Sequence, residues 1–264
     1  MAHAPSTPLS TAPPRRPCDP AALPPPGLRL IGVSKSFGRQ QVLDGLTLTA
    51  RPGRVYGLLG LNGAGKSTAF NIALGLLRPD AGAVEIQGSP LTRRSLRRVG
   101  AAINGPALFP QLSAHRNLLV HCRLTGVSPA VIDPLLERVG LQGAGRKRAG
   151  AFSTGMKARL SLAMALLTDP QVLILDEPQN GLDPRGIVEL RDLMRTLAAQ
   201  GRTLVVSSHQ LGEIAQMCDD LGVLASGSLV YEGPLESFAG THDPQALEAA
   251  FLAAVGAGST AVAP

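Results

Sequence analysis

Residues 60–68 read Gly-Leu-Asn-Gly-Ala-Gly-Lys-Ser-Thr. Gly60, Gly65, Lys66 and Ser67 occupy the fixed positions of a G-x-x-x-x-G-K-[ST] phosphate-binding loop. The spacing has a physical cause. A polyphosphate must be held by many fixed donors, and glycines let backbone amides close around it because no Cβ blocks the approach. The helix that follows points its positive end at the same place. Lys66 is placed to reach the β- and γ-phosphates, and the Ser67 hydroxyl to help hold Mg²⁺. The flanks agree. Residues 54–59 read as a short buried strand, and residues 67–77 as a helix closed by Arg78-Pro79. A glycine loop matching by chance has no reason to sit between a strand and a helix.

Downstream, three further stretches carry chemistry. Residues 172–175 form an all-apolar run, as in the middle of a parallel sheet. The run leads straight into Asp176-Glu177-Pro178, so both carboxylates lie at a strand exit. Asp176 can reach Mg²⁺ directly or through water, and Glu177 is placed to take a proton from an attacking water. A second apolar strand, 202–207, ends at Ser208-His209, where an imidazole can hydrogen-bond a γ-phosphate. His3, His115, His121 and His242 lack such a setting. Ser153-Thr154-Gly155 opens a helix. Ser153 can be a plain N-cap, or it and the bare amides around Gly155 can bind a phosphate, and composition does not decide between these. In an open α/β sheet, ligands bind at the carboxyl ends of the strands, so the four stretches are expected to converge there.

The remaining pattern sets the architecture. Residues 1–26 are rich in Pro, Ala, Ser and Thr and read as a disordered extension. Strands are expected at 28–33, 42–50, 83–87 and 99–103, with Phe37-Gly38 in a turn. Residues 92–98 read as helical, with Arg93, Arg94, Arg97 and Arg98 on one solvated face. Ser113 is the expected N-cap of one helix, Pro129 opens another that stops at Gly140, and an apolar helix is expected over 157–167. Helices follow over 184–199, 211–218 and 234–239, with a hairpin through Ser226-Gly227. A last amphipathic helix covers 246–253, and residues 256–264 are expected to fray. Strands alternating with helices imply a mainly parallel α/β sheet. A helical subdomain of about 92–168 interrupts a domain spanning 27–240, with a C-terminal helix and tail at 241–264.

Composition narrows the function. Aromatic content is 3% with no Trp, which argues against stacking platforms for single-stranded nucleic acid. Cys18, Cys122 and Cys218 are odd in number and widely spaced, so they form neither a metal set nor a disulfide framework. Residues 1–26 lack the apolar core of a signal peptide. No apolar run is long enough to span a membrane, so a membrane role has to go through a partner. The net charge of +6 admits an anionic surface, a nucleotide or nucleic acid.

Read in order, GLNGAGKST, FSTGM, LILDEP, GLD and the His of SSH resemble an ATP-binding-cassette (ABC) subunit over about residues 28–240. The resemblance implies a P-loop NTPase fold with an N-terminal antiparallel portion. It implies ATP and Mg²⁺ as cofactors. Phe37 matches the aromatic that stacks on adenine. Asn62, Gly63, Ala64, Gly65, Lys66, Ser67 and Thr68 match the Walker A contacts. Asp176 matches the Walker B magnesium residue, Glu177 the catalytic base, Asp183 the D-loop and His209 the switch histidine. Ser153 and Gly155 match the signature motif, which binds ATP held by a second nucleotide-binding subunit. The resemblance thus implies a head-to-tail dimer, two copies of one chain, driving a separate transmembrane permease from the cytoplasmic face of the membrane. FSTGMKARLSLAMALL, Asn104-Gly105-Pro106 and the terminal residues 247–251 resemble exporters of antibiotics, lantibiotics and drugs. Three positions depart from the pattern. Asn104 stands for the usual Gln or Glu of the Q-loop, one methylene short for a role at Mg²⁺. Gln179 follows Pro178 where Thr or Ser is common, and Thr154 replaces a frequent glycine. The alternative is a soluble cassette ATPase acting on nucleic acid or ribosomes. The single cassette and the lack of a coiled-coil insertion weigh against it, so no nucleic-acid partner is expected.

Overall fold

The computed structural model describes residues 24–240 and 244–260. Residues 1–23, which hold most of the Pro-rich extension, lie outside the described residues, as do 241–243 and the last four of the tail. In chain order the elements are β1 (Leu28–Phe37), β2 (Gln40–Ala50), β3 (Val55–Gly60), α1 (Lys66–Ala73), β4 (Ala81–Ile86), β5 (Ser89–Pro90) and β6 (Val99–Ala102). Three helices follow, α2 (Ala114–Thr125), α3 (Ile132–Arg138) and α4 (Thr154–Leu166). The chain then returns through β7 (Val172–Asp176), α5 (Pro184–Ala199), β8 (Thr203–Ser208), α6 (Leu211–Met217), β9 (Asp220–Ala225), β10 (Ser228–Pro234), α7 (Leu235–Ala239) and α8 (Pro244–Thr260).

Two sheets result. One is antiparallel, in the order β2-β1-β4-β5. The other has the order β10-β9-β3-β8-β7-β6, parallel except for the β9–β10 hairpin. Its central strands are buried almost throughout and mainly apolar because both faces are covered. Leu173, Leu175, Leu204 and Val206 face the helices α2 to α6, while Val172, Ile174, Val205 and Leu58 pack towards α1 and the antiparallel sheet. Gly100 in β6 allows the closest approach to a helix. A Cβ there would lie 2.0 Å from the Ala165 carbonyl oxygen of α4 and 2.8 Å from Pro170.

Register is what positions the site. Leu59 of β3 pairs with Ser208, and Asp176 of β7 pairs with Ser207. The loops after β3, β7 and β8 therefore leave the sheet side by side at one edge.

Several boundaries differ from expectation for local reasons. The helix after the glycine loop ends at Ala73, four residues early, because Gly75 takes a left-handed φ of 67° and turns the chain before Arg78-Pro79. The Arg-rich stretch is only a 3₁₀ turn over Ser95–Arg98, with Arg93 and Arg94 preceding it; all four arginines are exposed. Phe37 ends β1 and the turn begins at Gly38. The apolar helix starts at Thr154 rather than 157, since Ser153 caps it. The last helix continues to Thr260 through the part expected to fray. Val99–Ala102 pairs with β7 in the parallel sheet, so the wholly helical segment lies after it, from α2 onward. Among the described residues no helix is long and apolar enough to cross a membrane.

Candidate functional site

The glycine loop between β3 and α1 is held by its own backbone. Gly63 and Gly65 take φ of 82° and 109°, which L side chains rarely adopt. At Gly65 a Cβ would also lie 2.9 Å from the Val42 carbonyl oxygen of β2. At Gly60 a Cβ would lie 2.7 Å from the Leu224 carbonyl oxygen. The Ala64 N–H donates to the Leu61 carbonyl at 3.1 Å, tightening the loop. Asn62, Gly63 and Thr68 face a cavity of about 910 Å³ that also receives Lys66, Asp176 and Glu177.

Lys66 is 7% exposed, and its Nζ donates to the carbonyls of Gly60 at 2.6 Å and Leu61 at 3.2 Å. Burial lowers its pKa, and the nearby Glu177 and Asp176 carboxylates oppose that shift. An ammonium has three donors, so one remains for a ligand in the cavity.

Asp176 lies between two hydroxyls. Ser67 Oγ donates to its Oδ2 at 3.2 Å, and Ser207 Oγ donates to its Oδ1. The Ser207 hydroxyl also accepts from the Glu177 N–H at 3.0 Å, tying β7 to β8. Glu177 itself has a φ of 50°, a strained left-handed conformation that turns its side chain out of the strand direction. Its Oε1 lies 2.9 Å from His209 Nδ1, and its Oε2 accepts from Asn180 Nδ2 at 2.5 Å. Burial pushes the Glu177 carboxyl up, but the hydrogen bonds from His209 and Asn180, with the charges of His209 and Lys66, hold it below the usual carboxylate range.

The structure thus brings Lys66, Ser67, Asp176, Glu177 and His209 to one sheet edge. Other expected positions sit apart from that cluster. Asn104 has a φ of 56°, is exposed, and makes no side-chain hydrogen bond among the described residues; its neighbours Gly105 and Pro106 line the cavity. Asparagine tolerates this backbone better than glutamine does, which supplies a local reason for the departure. Phe37 is 51% exposed at the tip of the β1–β2 hairpin, with Lys35 Nζ 5.7 Å from its ring centroid, while Gln40 and Val42 of the same hairpin line the cavity.

Ser153 caps α4, accepting from the Met156 N–H at 3.3 Å, so its N-cap role is real whether or not it meets a phosphate. Asp183 caps α5 through the Gly186 N–H at 2.8 Å. The loops bearing these two caps interlock. A Cβ on Gly155 would lie 2.9 Å from the Gly181 carbonyl oxygen, and one on Gly181 2.4 Å from Thr154 Cγ2.

Reasoning from sequence missed Ser207, Gln179 and Asn180 as parts of the site. Ser207 carried one signal, a hydroxyl closing an apolar strand beside another strand that ends in an acid. Asn180 carried none, because its contact depends on the turn after Pro178.

The residues fit ATP and Mg²⁺. The loop offers bare amides with no Cβ in the way. Ser67 and Asp176 supply hard oxygen donors 3.2 Å apart, suited to a Mg²⁺ that keeps waters and substrate oxygens as further ligands. Among the described residues no group of three or more His, Cys, Asp or Glu could hold a metal, which is consistent with so sparse a protein donor set.

Comparison with known proteins follows the same lines. Residues 43–180 match the model of the family described as ABC transporter. A lantibiotic transport ATP-binding protein of Streptococcus pyogenes is 40% identical over 205 residues, 78% of this chain and 90% of its own length. A bacitracin transport ATP-binding protein of Bacillus licheniformis is 42% identical over 214 residues, 79% of this chain and 70% of its own. A Nod factor export ATP-binding protein of Burkholderia lata is 41% identical over 208 residues, covering 76% and 68%. Among solved structures, the ATP-binding subunit of an ABC transporter superposes with a TM-score of 0.74 at 31% identity, covering 80% of this chain and 91% of that one.

Proposed function

The chain belongs to the ABC transporter family, and from that membership we propose that it binds and hydrolyses ATP to power export through a separate membrane permease. The observation that carries the reading is the convergence of a phosphate loop, Asp176 and Glu177 on one cavity, with His209 2.9 Å behind the Glu177 carboxylate.

Each group has a task in the hydrolysis. Amides of residues 62–68 and the free donor of Lys66 hold the phosphates. Ser67 and Asp176 would hold Mg²⁺, which would supply positive charge against the phosphates. Glu177, ionised because its pKa is held down, accepts a proton from the water that attacks the γ-phosphorus. The new P–O bond forms as the bond from that phosphorus to the bridging oxygen breaks, and ADP leaves. His209 keeps the Glu177 carboxylate in place and can present its other ring nitrogen to the γ-phosphate. Phe37 supplies an aromatic face for adenine, and Asn104 lies at the loop that leads to the helical segment.

Ser153 and Gly155 are assigned to ATP held by a second subunit. The working species is then a head-to-tail pair, with two copies of this chain as the simplest case. The pair sits on the cytoplasmic side of the membrane by attachment to the permease. Relatives named for lantibiotic, bacitracin and Nod factor transport support export of an antibiotic, peptide or drug-like compound.

Glu177→Gln tests the site and the assembly together. Removing the base should lower turnover by about 10²–10⁴-fold. The same variant, with ATP bound but uncleaved, should sediment as a dimer. Undiminished phosphate release would reject the base assignment, and a monomer at saturating ATP would reject the paired site.

A further inference from the structure

Behind the catalytic pair lies a polar contact that the reaction scheme above does not use. Gln179 follows Glu177-Pro178 and is 3% exposed. Its Nε2 donates to Ser208 Oγ at 2.7 Å, and Ser208 is itself fully buried. That hydroxyl also accepts from the Gln210 N–H at 2.9 Å. Ser208 immediately precedes His209. One side chain therefore fastens the loop that carries Glu177 to the turn that carries His209. Gln179 is not among the residues that line the cavity, and its amide points to Ser208 instead.

The fastening is retained against a penalty. Gln179 Oε1 is buried without a hydrogen-bond partner, and such an acceptor loses its solvation for nothing. A leucine or methionine would fill the same space without that loss. A glutamine here makes physical sense if its amide donor is needed.

We propose that Gln179 is a positioning residue for hydrolysis, holding Glu177 and His209 in register through Ser208. The 2.9 Å contact between them joins two loops from different strands. Ser207 fixes the backbone of Glu177 to β8, but nothing in that bond constrains the turn beyond Ser208. The Gln179 clasp supplies that second constraint, one residue from the imidazole. Misplacement of a general base by a fraction of an ångström slows chemistry while leaving phosphate binding alone. The inference rests on Glu177 and His209 acting as assigned.

The test is steady-state phosphate release and ATP binding by the full chain carrying Gln179→Leu, Gln179→Met, Ser208→Ala, the Gln179→Leu/Ser208→Ala pair, or Glu177→Gln. Each of the first three should lower kcat about tenfold with the KM for ATP changed less than about twofold. The double variant should fall no further than the worse single one, since both substitutions break the same bond. The melting temperature of Gln179→Leu should equal or exceed that of the wild type, because the orphaned acceptor is gone. A kcat within about twofold of the wild type in both Gln179 variants would overturn the proposal. So would a parallel rise in KM, or losses that multiply in the double variant. Full turnover in Glu177→Gln would instead sink the underlying assignment, so the two failures are separable.

Discussion

Lys66→Met removes one positive charge from the phosphate loop while nearly conserving volume. The wild-type ammonium is 7% exposed and spends two of its three donors on Gly60 and Leu61. Its third donor is the one available to a β- or γ-phosphate. At a contact of about 3 Å and an effective dielectric near 20, the bare attraction is about 5 kcal/mol. Both partners give up water to make it, and a hydrogen bond to a charged group nets roughly 1.5–3 kcal/mol. The expected loss in ATP affinity is therefore about 10- to 150-fold. AMP has no β- or γ-phosphate and should bind the variant and the wild type within about twofold of each other. Titration calorimetry with ATP and AMP at fixed Mg²⁺ reads both. If AMP weakens as much as ATP, Lys66 acts by shaping the loop through Gly60 and Leu61, and the phosphate assignment is wrong. If ATP affinity does not change, the residue has no part in binding.

Gly100→Ala should destabilise the fold by about 3 kcal/mol, because the new methyl meets the Ala165 carbonyl and the backbone of α4 cannot step aside; an unchanged urea midpoint would refute the close β6–α4 contact. The pH dependence of stability follows the Glu177 carboxyl, whose folded pKa lies below its ordinary 4.5. A depressed pKa contributes stability that is present above the ordinary value and is lost as pH falls through the folded one. Denaturation of wild type and Glu177→Gln across a pH series should show the wild-type advantage shrinking in acid, and an advantage that grows there would contradict the cause given. Asn104→Gln should keep turnover within about threefold while costing about 1 kcal/mol of stability, since its φ of 56° strains the longer side chain; a large loss of turnover, read by phosphate release, would give Asn104 a role of its own.

The positions that meet at the sheet edge are legible in the sequence because each sits at a junction the sequence marks plainly. Lys66 follows an apolar strand and a glycine-rich loop, Asp176 closes an all-apolar run, and His209 comes just after the buried strand built on residues 204–206. The caps Ser113 and Ser153 were legible for the same reason: a short polar side chain standing where a helix begins. Strand order was not. Nothing local says that β3 lies between β8 and β9, yet that order alone sets the phosphate loop next to the turn of His209. Helix ends were legible only in part. Pro79 keeps a helix from running through it, but Gly75 ends the helix earlier, and a glycine's φ is decided by what the next residues pack against. Asn180 and Gln179 were invisible as partners because the turn after Pro178 chooses which amide faces Glu177 and which is driven inward.

The interlock of Thr154 and Gly155 with Gly181 reaches beyond the single chain. In the proposed pair, the two loops that contain them are the ones a second copy would meet. They cannot shift independently, since each sits where the other's side chain would have to be. A docking face made of separate loops must freeze each of them at the moment of association. Here that ordering is completed during folding, so ATP has only to bring two finished surfaces together. The same rigidity makes any push on one loop a push on the other, and Asn180, one residue before Gly181, carries it to the carboxylate of Glu177.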